Sequence, residues 1–434
     1  MVNRKNRFIS KRVLFKIHSW IGINLSILFF IVCFSGTLAT LSHEMDWLFI
    51  PSMRVTPEET MASKNLIVSN LGVQYPHGKI LYWEKVEEPY LSNIIHVDFD
   101  GHRRYVFANQ YTGDIQGISN LTFQRYFRDL HYYLFIPINQ IGNYIVLVFG
   151  FLLLISLITA LYFYKGWYKK FFTLSRGKGA MVFFRSLHRF IGIWSAPLIL
   201  VFSITGIWYF IERANIADVS SLINTKIPSI GEFDSARFAS DEFLYSIDYD
   251  KAVRIAKNEI PGLEIGEIIP PINSTSPLYI NGNSHVPLVR SRANRVYLNP
   301  YDYSIVRIQK AENENIVSWI NDIADPIHFG YWGGIITKLI WFVFGSTISG
   351  LILTGIWISL KRNLKKNQKG FGLWKVFNWL GYLAIMGFMY YLLTSRYRVS
   401  FDVLLLVFGI WGILLVLTYY IFVIRLKKAA IGTR

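Results

Sequence analysis

Six stretches of the chain run apolar for about twenty residues, the length a helix needs to cross the hydrocarbon of a bilayer. They cover residues 18–41, 141–163, 190–210, 335–358, 375–394 and 401–423. The first follows the basic segment NRKNRFISKRVLFK, as the core of a secretion signal would. Its apolar run is too long for such a core and no small-residue cleavage site follows, so an uncleaved anchor is expected. Two long intervals, 42–140 and 211–334, have the mixed pattern of water-soluble structure. Within them, residues 57–75 and 248–262 read as helices. The runs RRYVFANQYTGDIQG and NRVYLNPYDYSIVRI each read as an alternating strand, a turn and another strand. Residues 121–135, LTFQRYFRDLHYYLF, have the period of an amphipathic helix lying at the outer surface ahead of the second span. The expected fold class is a membrane all-α bundle of six transmembrane helices carrying two small α+β modules, one in each interval.

The pattern also repeats itself. FKIHSWIGINLSILFFIVCFSGTLATL, from Phe15, aligns with RSLHRFIGIWSAPLILVFSITGIWYFI, from Arg185. His18 then meets His188, Gly22 meets Gly192, Ser35 meets Thr205 and Gly36 meets Gly206. A second pair of segments aligns LHYYLF at His131 with IHFGYW at His328. Each continues into VFG, ending at Gly150 or Gly345, and then to Thr159 or Thr354. The repeated unit is a helix out, an external module and a helix back, and spans five and six lie outside it. Copies in the same orientation are related by an axis along the membrane normal. The small residues they share suit close packing between helices or against a flat ligand.

Charge fixes the expected topology. Charged residues are 17% of the chain, against about 25% in soluble domains. Residues 1–17, 164–189, 361–375 and 424–434 hold 23 of the 45 Lys+Arg and no acidic residue; the remainder has 22 basic and 28 acidic residues. By the positive-inside rule both termini and the loops 164–189 and 359–374 are cytoplasmic. Residues 42–140, 211–334 and the turn 395–400 then lie outside, on the periplasmic face. The net +17 is thus a topology signal and not a nucleic-acid footprint; the lipid bilayer is the expected partner and nucleic acid is not. The single cysteine, Cys33, excludes an internal disulfide, a four-cysteine iron–sulfur site, a C-x-x-C-H haem attachment and a cysteine zinc site. No G-x-G-x-x-G follows a strand and no P-loop is present, so no flavin or nicotinamide site is evident.

Of the nine histidines, four are related by the repeat: His18 and His188 at the cytoplasmic start of their spans, His131 and His328 at the outer start of theirs. Ionisable groups at membrane depth are costly and often functional, and neutral imidazole is the usual protein ligand of haem iron. In a doubled unit, equivalent residues lie at equal depth and face one another across the axis. His18 with His188 would hold one haem and His131 with His328 another. The bland alternative is that each histidine only reaches headgroups or a backbone carbonyl, and duplication alone would make such residues come in pairs. His43, in SHEMDW, is open to three roles: lining the outer haem, replacing one of its ligands, or binding substrate. His77, His96, His102 and His285 lack ligand spacing and are expected to be solvated or structural. Arg185 and Arg189, beside His188, fit haem propionates but fit positive-inside anchors better. Tyr132, Tyr133, Tyr331 and Trp332, near the outer pair, are candidate contacts to a substrate.

The segments H-x-x-I-G, SGTLATLSHEMD, LHYYLF, LHRFIGIW and DPIHFGYWGG…FGSTISGLILTGIWISLKR, in this order and doubled, resemble the PepSY-associated transmembrane family. The outer modules resemble PepSY domains, including the YTGDI turn, where the second module has YDYSI and departs from the glycine. The resemblance covers nearly the whole chain. It implies an inner-membrane reductase of ferric siderophores or another ferric chelate, with two b-type haems, each held by two histidines. These ligands are carried onto His18, His188, His131 and His328. Electrons would come from a separate donor, a quinol or a cytoplasmic reductase. Two other readings stay open: a haem-free envelope protein whose modules bind or restrain a peptidase or other partner, and a transporter. The transporter is the weaker, because the spans carry almost no buried charge and no paired break is expected in them.

Overall fold

The computed structural model describes residues 10–86, 88–231, 242–365 and 372–425. Residues 1–9 and 426–434 of the two expected basic tails, 232–241 of the second outer interval and 366–371 of the loop expected at 359–374 lie outside the described residues. The principal helices in chain order are α1 (Lys11–Asn24), α2 (Ser26–Ala39), α3 (Ser42–Phe49), α4 (Lys64–Gln74), α5 (Phe123–Tyr133), α6 (Ile141–Phe163), α7 (Ala180–Trp194), α8 (Ala196–Arg213), α9 (Tyr249–Glu259), α10 (Ile316–Phe329), α11 (Gly334–Lys365), α12 (Gly372–Ser395) and α13 (Phe401–Tyr419). The strands are β1 (Lys79–Glu84), β2 (Asn93–Phe99), β3 (His102–Ala108), β4 (Ile115–Ser119), β5 (Glu264–Ile269), β6 (Leu278–Asn283), β7 (Asn294–Leu298) and β8 (Ile305–Gln309). The chain divides into two compact units. One comprises Met1–Thr40, Phe127–Phe210 and Leu339–Arg434; the other comprises Leu41–Tyr126 and Ile211–Lys338.

The first unit is helical. Among the described residues, α6, α8, α11, α12 and α13 are long and apolar enough to cross a membrane, and α1 with α2 makes a sixth span if the bent pair is one crossing. None of the residues of α13 is buried by protein, as suits a helix whose solvent is lipid. The chain is a multi-pass membrane protein. One expectation fails here. The first span is not a continuous helix: α1 and α2 meet at Leu25 with a bend of 74°. The repeat-equivalent position in the second copy is Ser195, where α7 gives way to α8. Pro197 explains that second break, since it has no N–H to donate and disfavours a helical residue before it. The paired breaks overturn the premise used against a transporter. The amide of Ile27 and the carbonyl of Asn24 are both taken by the Asn378 side chain, at 3.1 and 2.6 Å.

The second unit contains the eight strands of the described residues, in one antiparallel sheet ordered β4-β3-β2-β1-β5-β6-β7-β8. The strand sets expected in two separate modules are therefore joined edge to edge by β1 and β5, with Trp83 opposite Ile268 and Glu84 opposite Glu267. An unpaired edge strand is a standing invitation to aggregate, and pairing the two edges removes both. One face of the sheet carries a single core that includes Ile67, Leu71, Trp83, Ile95, Ile268 and Ile280. The helices on this face cap each other. Asp250, in α9, accepts the amides of Lys64 and Asn65 at 2.8 and 3.1 Å, at the start of α4. Asn65 in return accepts the amide of Tyr249 at 2.8 Å, at the start of α9. Each side chain meets donors that a helix's first turn leaves unpaired.

Candidate functional site

His18 comes from α1 and His188 from α7, one and a half to two turns before the breaks that follow each helix. Their rings lie with centroids 6.2 Å apart and planes at 85°. His18 Nδ1 is 3.0 Å from the carbonyl oxygen of Ser156 in α6. A carbonyl only accepts, so Nδ1 carries the hydrogen and the Nε2 lone pair is left. His188 Nδ1 is 2.9 Å from the hydroxyl of Thr354 in α11. That hydroxyl already donates to the carbonyl of Leu351 at 3.0 Å, so towards His188 it accepts, and His188 has the same tautomer. Thr354 was paired with Thr159 by the repeat. The structure extends the equivalence to the carbonyls of Ser156 and Leu351: His18 reaches the first directly, and His188 reaches the second both directly and through the Thr354 hydroxyl.

This donor set fits an iron porphyrin. An imidazole nitrogen sits about 2 Å from a metal it binds, with the ring centre roughly 1 Å farther on, so two imidazoles across one iron have centroids roughly 6 Å apart. The measured separation meets that figure, and the rings are free to differ in rotation because each plane contains the common axis. Metal-bound histidines almost always donate their second N–H to a carbonyl, carboxylate or similar acceptor, as both do here. There is room beside the glycines one turn after each histidine. A methyl on Gly22, one turn after His18, would meet no atom within 4 Å, and one on Gly192 meets only Leu351, at 3.8 Å. Phe163 lies edge-on to His18 at 5.6 Å. Arg189 does not point its charge at this pair. Its guanidinium donates to the Thr173 carbonyl at 2.5 Å and to the Tyr164 hydroxyl at 3.2 Å, the role of an anchor. Arg185 is exposed.

The other candidates are distributed over both units. His131, on α5, packs its ring directly over Gly36, where a methyl would come within 2.7 Å of its Cε1, and donates from Nδ1 to the Val32 carbonyl at 2.8 Å. Near it Tyr133 donates to Asp129 at 2.7 Å, and Tyr397 donates to the same carboxyl; Tyr132 is exposed. His328 belongs to the second unit, at the end of α10, with Phe329 edge-on at 5.4 Å; Tyr331 and Trp332 follow it, the latter exposed. His43 belongs to the second unit as well. Its Nδ1 is buried without a hydrogen-bond partner among the described residues. Beside it, Lys338 bridges Glu44, at 3.1 Å, and Glu88. Burial raises Glu88, but the Lys338 ammonium, the nearby His43 and the hydrogen bonds to the carboxyl together outweigh it and hold that carboxyl below its ordinary range. Asp46, fully buried, accepts the Phe123 and Gln124 amides at 2.5 and 3.2 Å and so caps α5; burial pushes its carboxyl up to about 6. His96 is buried in the sheet, stacked on Tyr82 at 3.8 Å and 3.2 Å from Glu84, while His77 and His285 are exposed. Among the described residues no group of three or more His, Cys, Asp or Glu side chains is placed to hold a bare metal ion.

A family model of the PepSY-associated TM region matches residues 15–362. The chain belongs to that family. The match takes in His18, His131, His188 and His328 of this PepSY-associated protein and stops short of α12 and α13. No curated protein matches the chain. The residues that sequence reasoning missed are Ser156, the hydroxyl role of Thr354, and Asn378. The first acts through its backbone, the second shows only when the ring nitrogens are placed, and the third lies outside the repeat.

Proposed function

We propose that this PepSY-associated protein is a haem-dependent reductase of the bacterial inner membrane, passing electrons from a quinol or cytoplasmic reductase to a periplasmic ferric chelate such as a ferric siderophore. In this reading both termini are cytoplasmic. The observation that carries it is the His18–His188 pair, with its 6.2 Å separation and both Nδ1 atoms committed to acceptors. Bound there, an iron porphyrin supplies one-electron chemistry. The chain's own residues do the remainder. The Ser156 carbonyl and the Thr354 hydroxyl fix the ring tautomer and strengthen each imidazole as a donor. The apolar helices exclude water and raise the cost of charge at the site. A second b-type haem, on His131 with His328, is proposed from the repeat and the family resemblance, with His43 as a neighbour on the outer side. Iron in an oxygen-rich chelate is held less tightly as Fe(II) than as Fe(III), so one electron delivered to the chelate favours release.

Protein purified from cells given ample haem should show reduced-haem absorption bands and two haems per chain. His188→Ala and His328→Ala should each remove one. A colourless preparation overturns the reductase and returns the haem-free, partner-binding reading; two haems retained in both variants overturn the ligand assignment.

A further inference from the structure

The bend in the first span is met by a side chain from outside the repeat. A helix running through Leu25 would pair the Ile27 amide with the Ile23 carbonyl and the Asn24 carbonyl with the Leu28 amide. Instead Asn378 of α12, a buried side chain, accepts from Ile27 at 3.1 Å and donates to Asn24 at 2.6 Å. One amide group thus takes up one donor and one acceptor of the interrupted ladder, which irregular backbone inside a membrane requires. The second copy solves the same problem differently. Aligned with Ile27 is Pro197, which has no amide hydrogen to satisfy. Around it the chain keeps the bonds from Ser195 N to the Ile191 carbonyl, 2.8 Å, and from Ile199 N to the Ser195 carbonyl, 2.9 Å.

We infer that Asn378 is a positioning residue for His18: it stands in for the proline of the second copy and holds α1 at the angle that brings His18 to His188. This gives α12, which lies beyond the family match, a role in the site. The inference rests on the haem reading for its consequence, but its geometry is independent of haem. Asn378→Leu keeps the size of the side chain and removes both hydrogen bonds. It should free the bend, change the separation between α1 and α7, and convert the low-spin two-histidine spectrum at this haem to a weaker or mixed-spin one. Ile27→Pro, placed in the Asn378→Leu background, should restore both, because the amide that lost its acceptor is then gone. Should Asn378→Leu fail to fold, Asn378→Asp, which keeps the acceptor and drops the donor, is expected to give an intermediate shift.

The test joins two readouts on the full chain in lipid nanodiscs: the haem optical spectrum, and the distance between spin labels at positions 13 and 182, both exposed, after replacement of the single Cys33. A wild-type protein without haem would sink the reductase and leave the label distance to decide this inference. An unchanged label distance in Asn378→Leu overturns it. So does a changed distance with a wild-type spectrum, and so does a double variant that fails to recover either readout.

Discussion

Thr354→Val isolates one hydrogen bond at the proposed haem. Valine keeps the branched shape of threonine and lacks only the hydroxyl. In the native chain that hydroxyl is 2.9 Å from His188 Nδ1 and passes its own hydrogen to the Leu351 carbonyl at 3.0 Å. Its loss takes the nearer acceptor from the His188 N–H and leaves it the Leu351 carbonyl alone. A neutral hydrogen bond is worth about 1 kcal/mol net, and removing the outer partner of a metal-bound histidine lowers affinity about 10–100-fold. The expected cost is therefore about 1.4–2.8 kcal/mol of haem binding at this site. Direction follows as well. An imidazole that donates less strongly from Nδ1 is a weaker base and stabilises Fe(III) less, so the midpoint potential of this haem should rise. Thr354→Ser keeps the hydroxyl and should stay near wild type. The assay is haem titration of apoprotein with redox potentiometry on the loaded protein. Equal affinity and an equal midpoint in the valine and serine variants would refute the reasoning, because the hydroxyl would then not be holding an axial ligand.

Three further outcomes are expected. Gly22→Ala adds a methyl that meets no atom within 4 Å and should stabilise α1 in haem-free protein by about 1 kcal/mol while lowering haem loading; loading equal to wild type would show that no flat ligand lies along that side. Asp250→Ala removes the acceptor of the Lys64 and Asn65 amides, leaving Ser63 to cap Leu66, and should cost about 1 kcal/mol, read as a lowered midpoint of denaturant unfolding, and Asn65→Ala should cost less than additively on top of it. For Asp46 burial pushes the folded carboxyl up to about 6, against an ordinary value of 3.8. Between those values the folded state holds a proton that the unfolded state has lost, so stability falls as pH rises from about 4 to 6. Asp46→Asn should flatten that slope in thermal unfolding against pH, and an identical slope would disprove the assignment.

The spans were legible because twenty apolar residues have few other uses: the run 141–163 is α6 to the residue. The breaks were not, for two reasons. Pro197 stood in plain view, but it interrupts no apolar run, and hydropathy averages over it. The break at Leu25 has no local signature, because the side chain that meets it, Asn378, lies 351 positions from Ile27. Strand alternation gave the faces of the sheet but not its neighbours, since a period of two says nothing about which edges meet. The missing glycine of the second turn has a structural account. Tyr303 takes a left-handed φ of 64°, which costs a non-glycine residue roughly 1–2 kcal/mol. Its hydroxyl accepts the Asp248 amide at 2.7 Å and its ring receives the Lys251 ammonium at 4.4 Å. At the candidate site the histidines were legible from the repeat alone. The acceptors that orient them were not, because a backbone carbonyl leaves no trace in residue identity.

The seam between β1 and β5 has one more property. Shifting β1 by 185 positions lays it on β5, so Trp83 corresponds to Ile268, and these two residues also sit opposite each other in the ladder. Each strand thus faces its own counterpart, and the local twofold passes through that pair. A chain holding only the first copy would present β1 bare, and the surface that fits it best is the same strand on a second molecule, related by a closed dyad. The full-length protein is in this respect a homodimer tied into a single polypeptide, and shortening it to either half should yield self-associating species in place of monomers.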